Sequence, residues 1–252
     1  GHINDMAGKM CIESQLQEVL EFVDISTLEE RLLGENSITH EFIDKISGWC
    51  RSRFIPVDYD ENGRLLHVLF CIECIEEEKK RENRLIYLAR TDLMTGLYNR
   101  GSGEKRITEL LKEKTGGLFC LIDCDKFKSI NDTYGHSVGD KVIIAVAETL
   151  RKTCRDSDVV LRLGGDEFAC IIGGNPDEKN CLKSIERLEK NICSPYNIHG
   201  HKIQIGVSCG YAVYPSDGDT VECMLKIADS RMYSEKEKHH AGRILFPAQP
   251  QV

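Results

Sequence analysis

Hydrophobic and polar positions follow two different spacings along the second half of the chain. Continuous or alternating apolar runs predict strands over residues 118–123, 159–163, 168–172 and 203–213. Apolar residues at helical spacing predict helices over residues 140–151, 177–192 and 222–238. Because strands and helices take turns along the chain, the pattern indicates an α/β sheet that is covered by helices on at least one face.

Two of these strands are predicted to form a hairpin. The runs 159–163 and 168–172 are separated by Gly164 and Gly165, followed at once by Asp166 and Glu167. A two-residue glycine-rich turn between apolar strands is a strong hairpin signal, and the antiparallel pair makes the sheet mixed. Carboxylates beside such a turn suit divalent-metal and phosphate chemistry, because the backbone there can approach a ligand closely.

Two further carboxylates, Asp123 and Asp125, lie at the end of the predicted buried strand 118–123. Residues two apart on a strand face the same side, so one or both can point into a site at the strand end. Mg²⁺ takes one or two carboxylates plus phosphate oxygens and water, which makes this a candidate magnesium site. Asp166 and Glu167, as strand neighbours, project to opposite sides, so only one is expected beside Asp123, and the sequence leaves open which. Taken singly, such carboxylates are more often solvated turn residues.

The segment after Asp125 carries candidate nucleotide-binding residues. A turn into a short helix over residues 127–132 exposes backbone N–H groups that can hold phosphates, and Lys128 adds a positive charge. Asn131 offers an amide and Asp140 an acceptor-only carboxylate, which can accept from both N1–H and the 2-amino group of guanine. Taken singly, Asn131 is more often a capping or turn residue, and Asp140 a favourable charge in the first turn of a helix.

The first third of the chain has a different pattern. Residues 49–57 and 67–72 are predicted as strands joined by a turn, and residues 76–90 as a charged helix with Glu-to-Lys/Arg pairs at helical spacing. The narrow apolar stripe of this helix fits either a solvated linker or a dimerising helix. We therefore expect an N-terminal segment over residues 1–75, a linker helix over 76–90, a main domain over 91–247 and a tail over 248–252.

Composition narrows the functional classes. The net charge of −8 over 252 residues argues against sequence-independent nucleic-acid binding. No run approaches the roughly 18–20 consecutive apolar residues of a membrane span, and no signal-peptide pattern is present, so we expect a cytoplasmic protein without a membrane segment. The 12 cysteines are scattered through apolar runs, which favours buried free thiols over a disulfide framework. A lone C-x-x-C at residues 71–74 is a weak signal for zinc.

From residue 91 onward, several motifs occur in a specific order. The segment 92–100 is DLMTGLYNR, and it is followed by DCDKFK at 123–128, INDTYGH at 130–136 and RLGGDEF at 162–168. VSCG at 207–210, AD at 228–229 and MY at 232–233 continue the series. This ordered series resembles the GGDEF diguanylate cyclase family over roughly residues 91–245. A single GGDEF match could be chance, whereas the whole series is not.

The resemblance implies an α/β (α+β) fold with a mixed, mostly antiparallel central sheet flanked by helices, of the nucleotidyl-cyclase type. It implies a bacterial signalling enzyme, a transferase that condenses two GTP molecules into cyclic di-GMP and two pyrophosphates. Asp123, the carbonyl of Cys124 and Asp166 would hold Mg²⁺, with Mn²⁺ as a substitute. Asp166 would be either the proton acceptor or purely a metal ligand.

The resemblance also assigns the remaining site residues. Glu167 and Lys128 would join Asp166 as catalytic residues, with Lys128 on the triphosphate. The substrate-binding residues would be Asn131 and Asp140 on guanine, with Phe127 and Lys236 as further contacts. The C-terminal segment that carries Lys236 is longer than the family's usual pattern.

Each active site of the family holds one GTP, so two domains must meet, which implies a homodimer and favours a dimerising role for helix 76–90. Arg155 and Asp158 match the R-x-x-D of the family's product-inhibition site, with five residues between Asp158 and Gly164. The resemblance therefore implies inhibition by cyclic di-GMP, although such tetrads are also common as surface ion pairs.

Two alternatives concern function and one concerns the N-terminal segment. The chain could be a catalytically silent cyclic di-GMP receptor, against which the intact Asp166 and Glu167 argue, or a relaxed-specificity cyclic GMP-AMP synthase, against which Asp140 argues. The paired strands before helix 76–90 loosely resemble the C-terminal half of a PAS-type sensor domain, and an unrelated small α+β module is the alternative.

Overall fold

The computed structural model describes residues 8–113, 116–174 and 178–242. The chain divides into two compact units, Gly1–Ile86 and Tyr87–Val252. The predicted tail at residues 248–252 lies outside the described residues, as do residues 1–7 of the predicted first segment.

The first unit is built on an antiparallel three-stranded sheet in the order β1-β2-β3, with β1 at Ile38–Asp44, β2 at Gly48–Tyr59 and β3 at Leu65–Cys74. Two short helices, α1 (Leu16–Phe22) and α2 (Leu28–Leu32), precede the sheet. They bury Val19, Leu28 and Leu32 together with Phe42 and Phe54 of the sheet. The predicted strands are present and longer than expected. Strand β1 was not predicted, because its alternation is interrupted by polar residues.

Helix α3 (Glu76–Arg90) begins two residues after β3, and its first turn is bound to the sheet of the first unit by charged groups. Arg51 on β2 contacts Glu41 at 2.7 Å and Glu78 at 2.9 Å, and Lys79 contacts Glu41 at 2.7 Å. The carboxylate of Glu76 accepts a hydrogen bond from the backbone N–H of Trp49 at 2.9 Å. Within the first unit, the start of α3 is therefore held by side chains of β1 and β2.

The second unit contains a five-stranded sheet in the order β10-β5-β7-β6-β4, in which the β4–β6 pair is parallel and the other three pairs are antiparallel. The strands are β4 (Tyr98–Asn99), β5 (Gly117–Asp125), β6 (Val159–Gly164), β7 (Glu167–Gly173) and β10 (Gly206–Tyr214), and a separate ribbon pairs β8 (Tyr196–Ile198) with β9 (His201–Ile203). The helices are α4 (Arg100–Glu113), α5 (Phe127–Tyr134), α6 (His136–Thr153), α7 (Glu178–Ile192) and α8 (Val221–Gly242). The expected mixed, mostly antiparallel sheet with flanking helices is confirmed.

The two faces of this sheet are covered by different helices, and strand alternation sorts the side chains between them. Cys120 and Ile122 of β5 share one buried cluster with residues of α6 and α7. Phe119 and Leu121 share another with residues of α4 and α8. Because side chains alternate along β5, Asp123 and Asp125 lie on the face covered by α4 and α8.

Several boundaries differ from the sequence prediction. Helix α6 begins at His136 rather than at 140, because Gly135, with φ of 85° and ψ of 159°, separates it from α5. Residues 203–213 are divided between β9 and β10 rather than forming one strand. The predicted start of the helix at 177 lies outside the described residues, and that helix is described from Glu178. Within the described ranges, no helix is long and apolar enough to cross a membrane.

Candidate active site

Three carboxylates meet where β5 ends and β7 begins. Asp123 on β5 lies directly opposite Glu167 on β7, and both residues face the side covered by α4 and α8. Directly opposed residues of an antiparallel pair have Cβ atoms about 4.5–5.5 Å apart. The partner of Asp123 that the sequence left open is therefore Glu167, as its in-register neighbour.

Asp166 is placed differently from the prediction, which put it on the strand beside Glu167. The two-residue turn is Gly165-Asp166 rather than Gly164-Gly165, and Gly164 pairs with Glu167 across the hairpin. The turn shifts by one residue because Gly165 adopts a left-handed φ of 53° and the ladder bulges between Arg162 and Gly164. The carbonyl of Asp166 accepts a hydrogen bond from the Cys124 N–H at 3.2 Å, which fixes the turn against the end of β5.

The electrostatics of this carboxylate cluster are unfavourable for negative charge. Burial is the main cause that raises the pKa of Asp166, and repulsion by Asp123 adds to it. Burial likewise raises the pKa of Glu167, with further repulsion from Asp123 and Asp166. The positive charge of Lys236 opposes both shifts. A bound cation would relieve the same repulsion.

Lys236 of α8 reaches this cluster, with its Nζ 2.8 Å from Asp123 Oδ1. The helix comes close to the sheet because Gly210 on β10 has no side chain, and a Cβ there would collide with the backbone of Ala228. The structure thus brings Lys236, one of the predicted substrate contacts, to the carboxylates at the end of β5.

The donor set fits a divalent cation that is shared with a nucleotide. Within the described ranges, no group of three or more His, Cys, Asp or Glu side chains is arranged to hold a metal by itself. Mg²⁺ in nucleotide sites takes only one or two protein carboxylates and completes its shell with phosphate oxygens and water. Asp123 and Asp166 are two such carboxylates, and the backbone carbonyl of Cys124, next to Asp123, is a further oxygen ligand of the type that Mg²⁺ prefers.

Asp125 does not join the three carboxylates. Its Oδ1 accepts a hydrogen bond from the buried Ser208 hydroxyl on β10 at 2.7 Å. It also lines a cavity of about 720 Å³ between α5 and the start of β10. Of the two strand-end aspartates, Asp123 therefore belongs to the cluster, while Asp125 ties β5 to β10.

Helix α5 begins immediately after these aspartates and presents its N-terminus and Lys128. Lys126 adopts a left-handed φ of 56°, which turns the chain from β5 into the helix at Phe127. The first backbone N–H groups of a helix have no acceptor within it and can bind phosphate. The Lys128 side chain is exposed, and Phe127 is partly buried against the core. Both residues are thus placed on the helix that follows the carboxylates.

Asn131 and Asp140 are brought together by the packing of α5 on α6. A Cβ at Gly139 would collide with Asn131 Oδ1 and would lie 3.3 Å from Phe127 Cζ. Because Gly139 has no side chain, α6 can lie against Asn131 at this point. The next residue of α6 is the exposed Asp140. Asn131 is inside α5 rather than at a cap, and Asp140 is the fifth residue of α6 rather than part of its first turn.

The Arg155–Asp158 pair forms a compact turn away from the carboxylate cluster. Asp158 accepts from the Arg155 N–H at 2.8 Å and from the Gly173 N–H at 3.3 Å. The exposed Arg155 lines a cavity of about 270 Å³ together with Arg187. The carboxylate of Asp158 therefore supports the backbone, while the two arginines make the cavity positively charged.

Sequence reasoning missed a contact that positions the hairpin turn. Arg162 Nη1 lies 3.0 Å from Asp92 Oδ1, and Arg162 Nη2 donates to the Gly165 carbonyl at 2.6 Å. Asp92 also accepts hydrogen bonds from the N–H and hydroxyl of Thr95. The two residues belong to motifs 70 positions apart, and no local spacing rule pairs them. Their presence in the motif series was the available signal.

Fold and site together define a mixed α/β domain whose central hairpin carries carboxylates. The model of the family described as "Diguanylate cyclase, GGDEF domain" matches residues 89–241, which is more than half of the chain. The chain therefore belongs to the GGDEF diguanylate cyclase family.

Individual relatives agree with this assignment. The bifunctional diguanylate cyclase/cyclic di-GMP phosphodiesterase MucR of Pseudomonas aeruginosa is 37% identical over 171 residues, which cover 66% of this chain and 25% of MucR. The GGDEF domain of TpbB from the same species has a TM-score of 0.56 at 33% identity, covering 59% of this chain and 89% of that one. A structure of DgcB from Caulobacter crescentus with c-di-GMP has a TM-score of 0.58 at 25% identity, covering 65% of this chain and 89% of that one. The chain spans a quarter to two fifths of the length of curated relatives such as MucR and TpbB.

Proposed function

We propose that this chain is a diguanylate cyclase that condenses two GTP molecules into cyclic di-GMP and two pyrophosphates. The observation that carries the proposal is the cluster of Asp123, Asp166 and Glu167 at the end of β5 and the start of β7, with Lys236 against it. In each of two equivalent steps, a ribose 3′-oxygen attacks the α-phosphorus of the other GTP, and the bond to pyrophosphate breaks. Names of relatives such as MucR and TpbB support the same chemistry.

The carboxylates have roles that follow from their electrostatics. Mg²⁺, bound through Asp123, Asp166 and the Cys124 carbonyl, would neutralise charge that develops on the phosphates. The raised pKa of Asp166 suits a group that takes a proton from the attacking hydroxyl, and the ligand role requires only the ionised carboxylate. Glu167, opposite Asp123, is the second acidic group of the proposed catalytic set.

The other residues bind and orient the nucleotide. Lys128 and Lys236 contact the triphosphate, and the N-terminal amides of α5 support it. Asn131 and Asp140 recognise guanine, and the packing at Gly139 holds the two helices that carry them together. Phe127 contributes to the same pocket. Positioning of this kind supplies much of the rate enhancement in reactions that join two substrates.

Three further parts of the proposal concern the whole molecule. Because each site holds one GTP, the active species is a homodimer, and α3 contributes to pairing of the two copies. Cyclic di-GMP inhibits the enzyme through Arg155 and Asp158, and the arginine-lined cavity of about 270 Å³ supports anion binding there.

Residues 1–75 form a partial PAS-like sensor segment, 76–90 the linker helix and 91–247 the cyclase domain. The three-stranded antiparallel sheet of the first unit supports the PAS-like assignment of residues 1–75.

The test is incubation of the protein with GTP and Mg²⁺, followed by mass spectrometry of the products. We expect cyclic di-GMP from the wild type and from Glu148→Gln, an exposed carboxylate on α6, and none from Asp166→Ala. Cyclic di-GMP binding without any product at high protein concentration would instead support a silent receptor. A mixed product from GTP and ATP would support a cyclic GMP-AMP synthase.

A further inference from the structure

A pair of cysteines lies at the end of the first unit's sheet, next to helix α3. Cys50 on β2 and Cys74 on β3 are directly opposite each other in the antiparallel ladder. The adjacent pair is hydrogen-bonded, because the Ile75 N–H donates to the Trp49 carbonyl at 2.8 Å. Hydrogen-bonded and non-hydrogen-bonded pairs alternate along such a ladder, so the two cysteines form a non-hydrogen-bonded pair, with Cα atoms about 4.5 Å apart.

This spacing suits a disulfide bond. Disulfides usually join residues whose Cα atoms are about 4.4–6.8 Å apart. As directly opposed residues, Cys50 and Cys74 project from the same face of the sheet, and the Cys74 thiol donates to the Ser47 carbonyl at 3.4 Å. Forming the bond therefore requires no change in strand register.

The C-x-x-C pattern suggests a different partner for Cys74, and the strand geometry excludes it. Cys71 and Cys74 are both on β3, and residues three apart on a strand are separated by about 10 Å and face opposite sides. That distance exceeds the reach of a disulfide. Cys71 lies opposite Arg53 instead of opposite a thiol.

Access distinguishes the Cys50–Cys74 pair from a similar pair in the second unit. Cys120 and Cys170 are also directly opposite each other, but both are 0% exposed. Cys74 is exposed and Cys50 is 3% exposed, so a reagent can reach one sulfur of the pair from solvent. Cysteine reactivity requires such access. Burial raises the pKa of Cys50, which leaves Cys74 as the attacking thiol.

We propose that Cys50 and Cys74 form a reversible thiol–disulfide site that reacts with small disulfides such as oxidised glutathione. The Cys74 thiolate attacks one sulfur of the reagent, forms a mixed disulfide and releases one glutathione thiol. The Cys50 thiolate then attacks the Cys74 sulfur and releases the second glutathione. The two cysteines lose two electrons and two protons in total, and the reagent is reduced to two thiols.

The position of this bond links it to helix α3. Cys74 is two residues before Glu76, whose carboxylate accepts from the backbone N–H of Trp49, the residue before Cys50. Oxidation would add a covalent link between β2 and the chain just before α3. The bond would therefore join the end of β3, immediately before α3, to β2 of the first unit. This site is independent of the proposed cyclase chemistry.

The test is oxidation of the folded chain, with both units present, by excess oxidised glutathione, followed by alkylation and peptide mass spectrometry. We expect a peptide linked through Cys50 and Cys74 in the wild type and in the matched control Cys71→Ser, and its return to two thiols with reduced glutathione. Cys74→Ser should lack the linked peptide. Cys50→Ala should retain glutathione on Cys74, because the resolving thiol is missing.

Three results would overturn the proposal. They are a lasting glutathione adduct on Cys74 of the wild type, a Cys71–Cys74 linkage, and an unmodified Cys74 in protein whose circular dichroism shows a native fold. If Cys50→Ala does not fold, Cys74→Ser decides the matter, since Cys74 is exposed and its replacement disturbs little packing. Glutathione on Cys50 in that variant would contradict the order of attack.

Discussion

Lys236 Nζ lies 2.8 Å from Asp123 Oδ1, joining helix α8 to the end of strand β5. The two side chains are 31% and 15% exposed, so the contact is only partly screened by water. The same lysine lowers the pKa of Asp166 and of Glu167, against the effects of burial and mutual repulsion. Its charge thus favours the ionised forms of Asp166 and Glu167.

Replacing Lys236 by Gln should shift the acidic limb of the pH–rate profile to higher pH. Without the positive charge, the pKa values of Asp166 and Glu167 rise further, so a higher pH is needed to ionise them. We also expect about a tenfold loss in kcat/KM for GTP, the size expected from one charge-assisted hydrogen bond. The measurement is kcat/KM against pH, with Lys236→Arg as the control that keeps the charge. An acidic limb at the same pH in Lys236→Gln would contradict this electrostatic role.

Arg162 should be required for position rather than for chemistry. It connects Asp92 to the Gly165 carbonyl, one residue before Asp166, through contacts of 3.0 and 2.6 Å. In Arg162→Lys the single ammonium cannot reproduce this forked contact. We expect kcat to fall about tenfold or more, which is equivalent to the loss of about 1.5–3 kcal/mol from hydrogen bonds to a charged group.

The measurement separates kcat from KM and includes Arg106→Lys, a conservative change of an exposed ion pair on α4. Asp92→Asn combined with Arg162→Lys should lose less than the sum of the single changes, because both remove the same contact. Fully additive losses would show that the two side chains act independently.

The same contact shows what the sequence could and could not predict. Strand and helix positions in the second unit follow from apolar spacing, and the carboxylates at the end of β5 follow from the motif. The one-residue shift of the turn to Gly165-Asp166 depends on a left-handed glycine and a bulge, which two adjacent glycines leave undetermined. The Arg162–Asp92 pair depends on tertiary packing across 70 positions, which no local pattern encodes.

Gly139→Ala should weaken guanine binding by pushing α6 away from Asn131. A Cβ at this position would collide with Asn131 Oδ1, in a place where α5 and α6 are in contact. We expect the KM for GTP to rise about tenfold and the free energy of unfolding to fall by about 1–3 kcal/mol, as in other overpacked sites. The matched control is Gly101→Ala on α4, where a Cβ meets nothing within 4 Å.

Gly101→Ala should leave the kinetics unchanged, with a gain in stability of about 0.4–1 kcal/mol from the reduced freedom of the unfolded chain. The assay is steady-state kinetics together with denaturant unfolding of each variant. An unchanged KM in a folded Gly139→Ala protein would separate Asn131 from guanine recognition.

Arg155→Ala should relieve product inhibition without changing the initial rate. Arg155 lines a cavity with Arg187, and the variant removes one of these two positive charges. Progress curves of GTP consumption should remain linear to higher conversion than in the wild type, and added cyclic di-GMP should inhibit less. Lys152→Ala, a neighbouring change on α6, is the control and should keep the inhibition. Equal inhibition of Arg155→Ala and the wild type would show that the product binds elsewhere.

Glu41 should make the stability of the first unit depend on pH. Lys79, and then Arg51, lower the pKa of Glu41 in the folded protein through hydrogen bonds. A carboxyl group whose pKa is lower in the folded state stabilises the fold above its unfolded pKa of about 4.3, and the contribution is lost as pH falls through the folded pKa. The change should therefore occur below about pH 5 and should be smaller in Glu41→Gln.

The measurement can be confined to the first unit, because the chain has one tryptophan, Trp49, on β2. The Lys79 Nζ lies 5.4 Å from the centre of the Trp49 ring, so the fluorescence of Trp49 also reports on the contact between α3 and the sheet of the first unit. Urea unfolding followed by this fluorescence should give a steeper loss of stability with falling pH in the wild type than in Glu41→Gln. Glu148→Gln on α6 should behave as the wild type, since Glu148 is exposed in the second unit. If Glu41→Gln retained the full pH dependence, other carboxylates of the first unit would have to supply it.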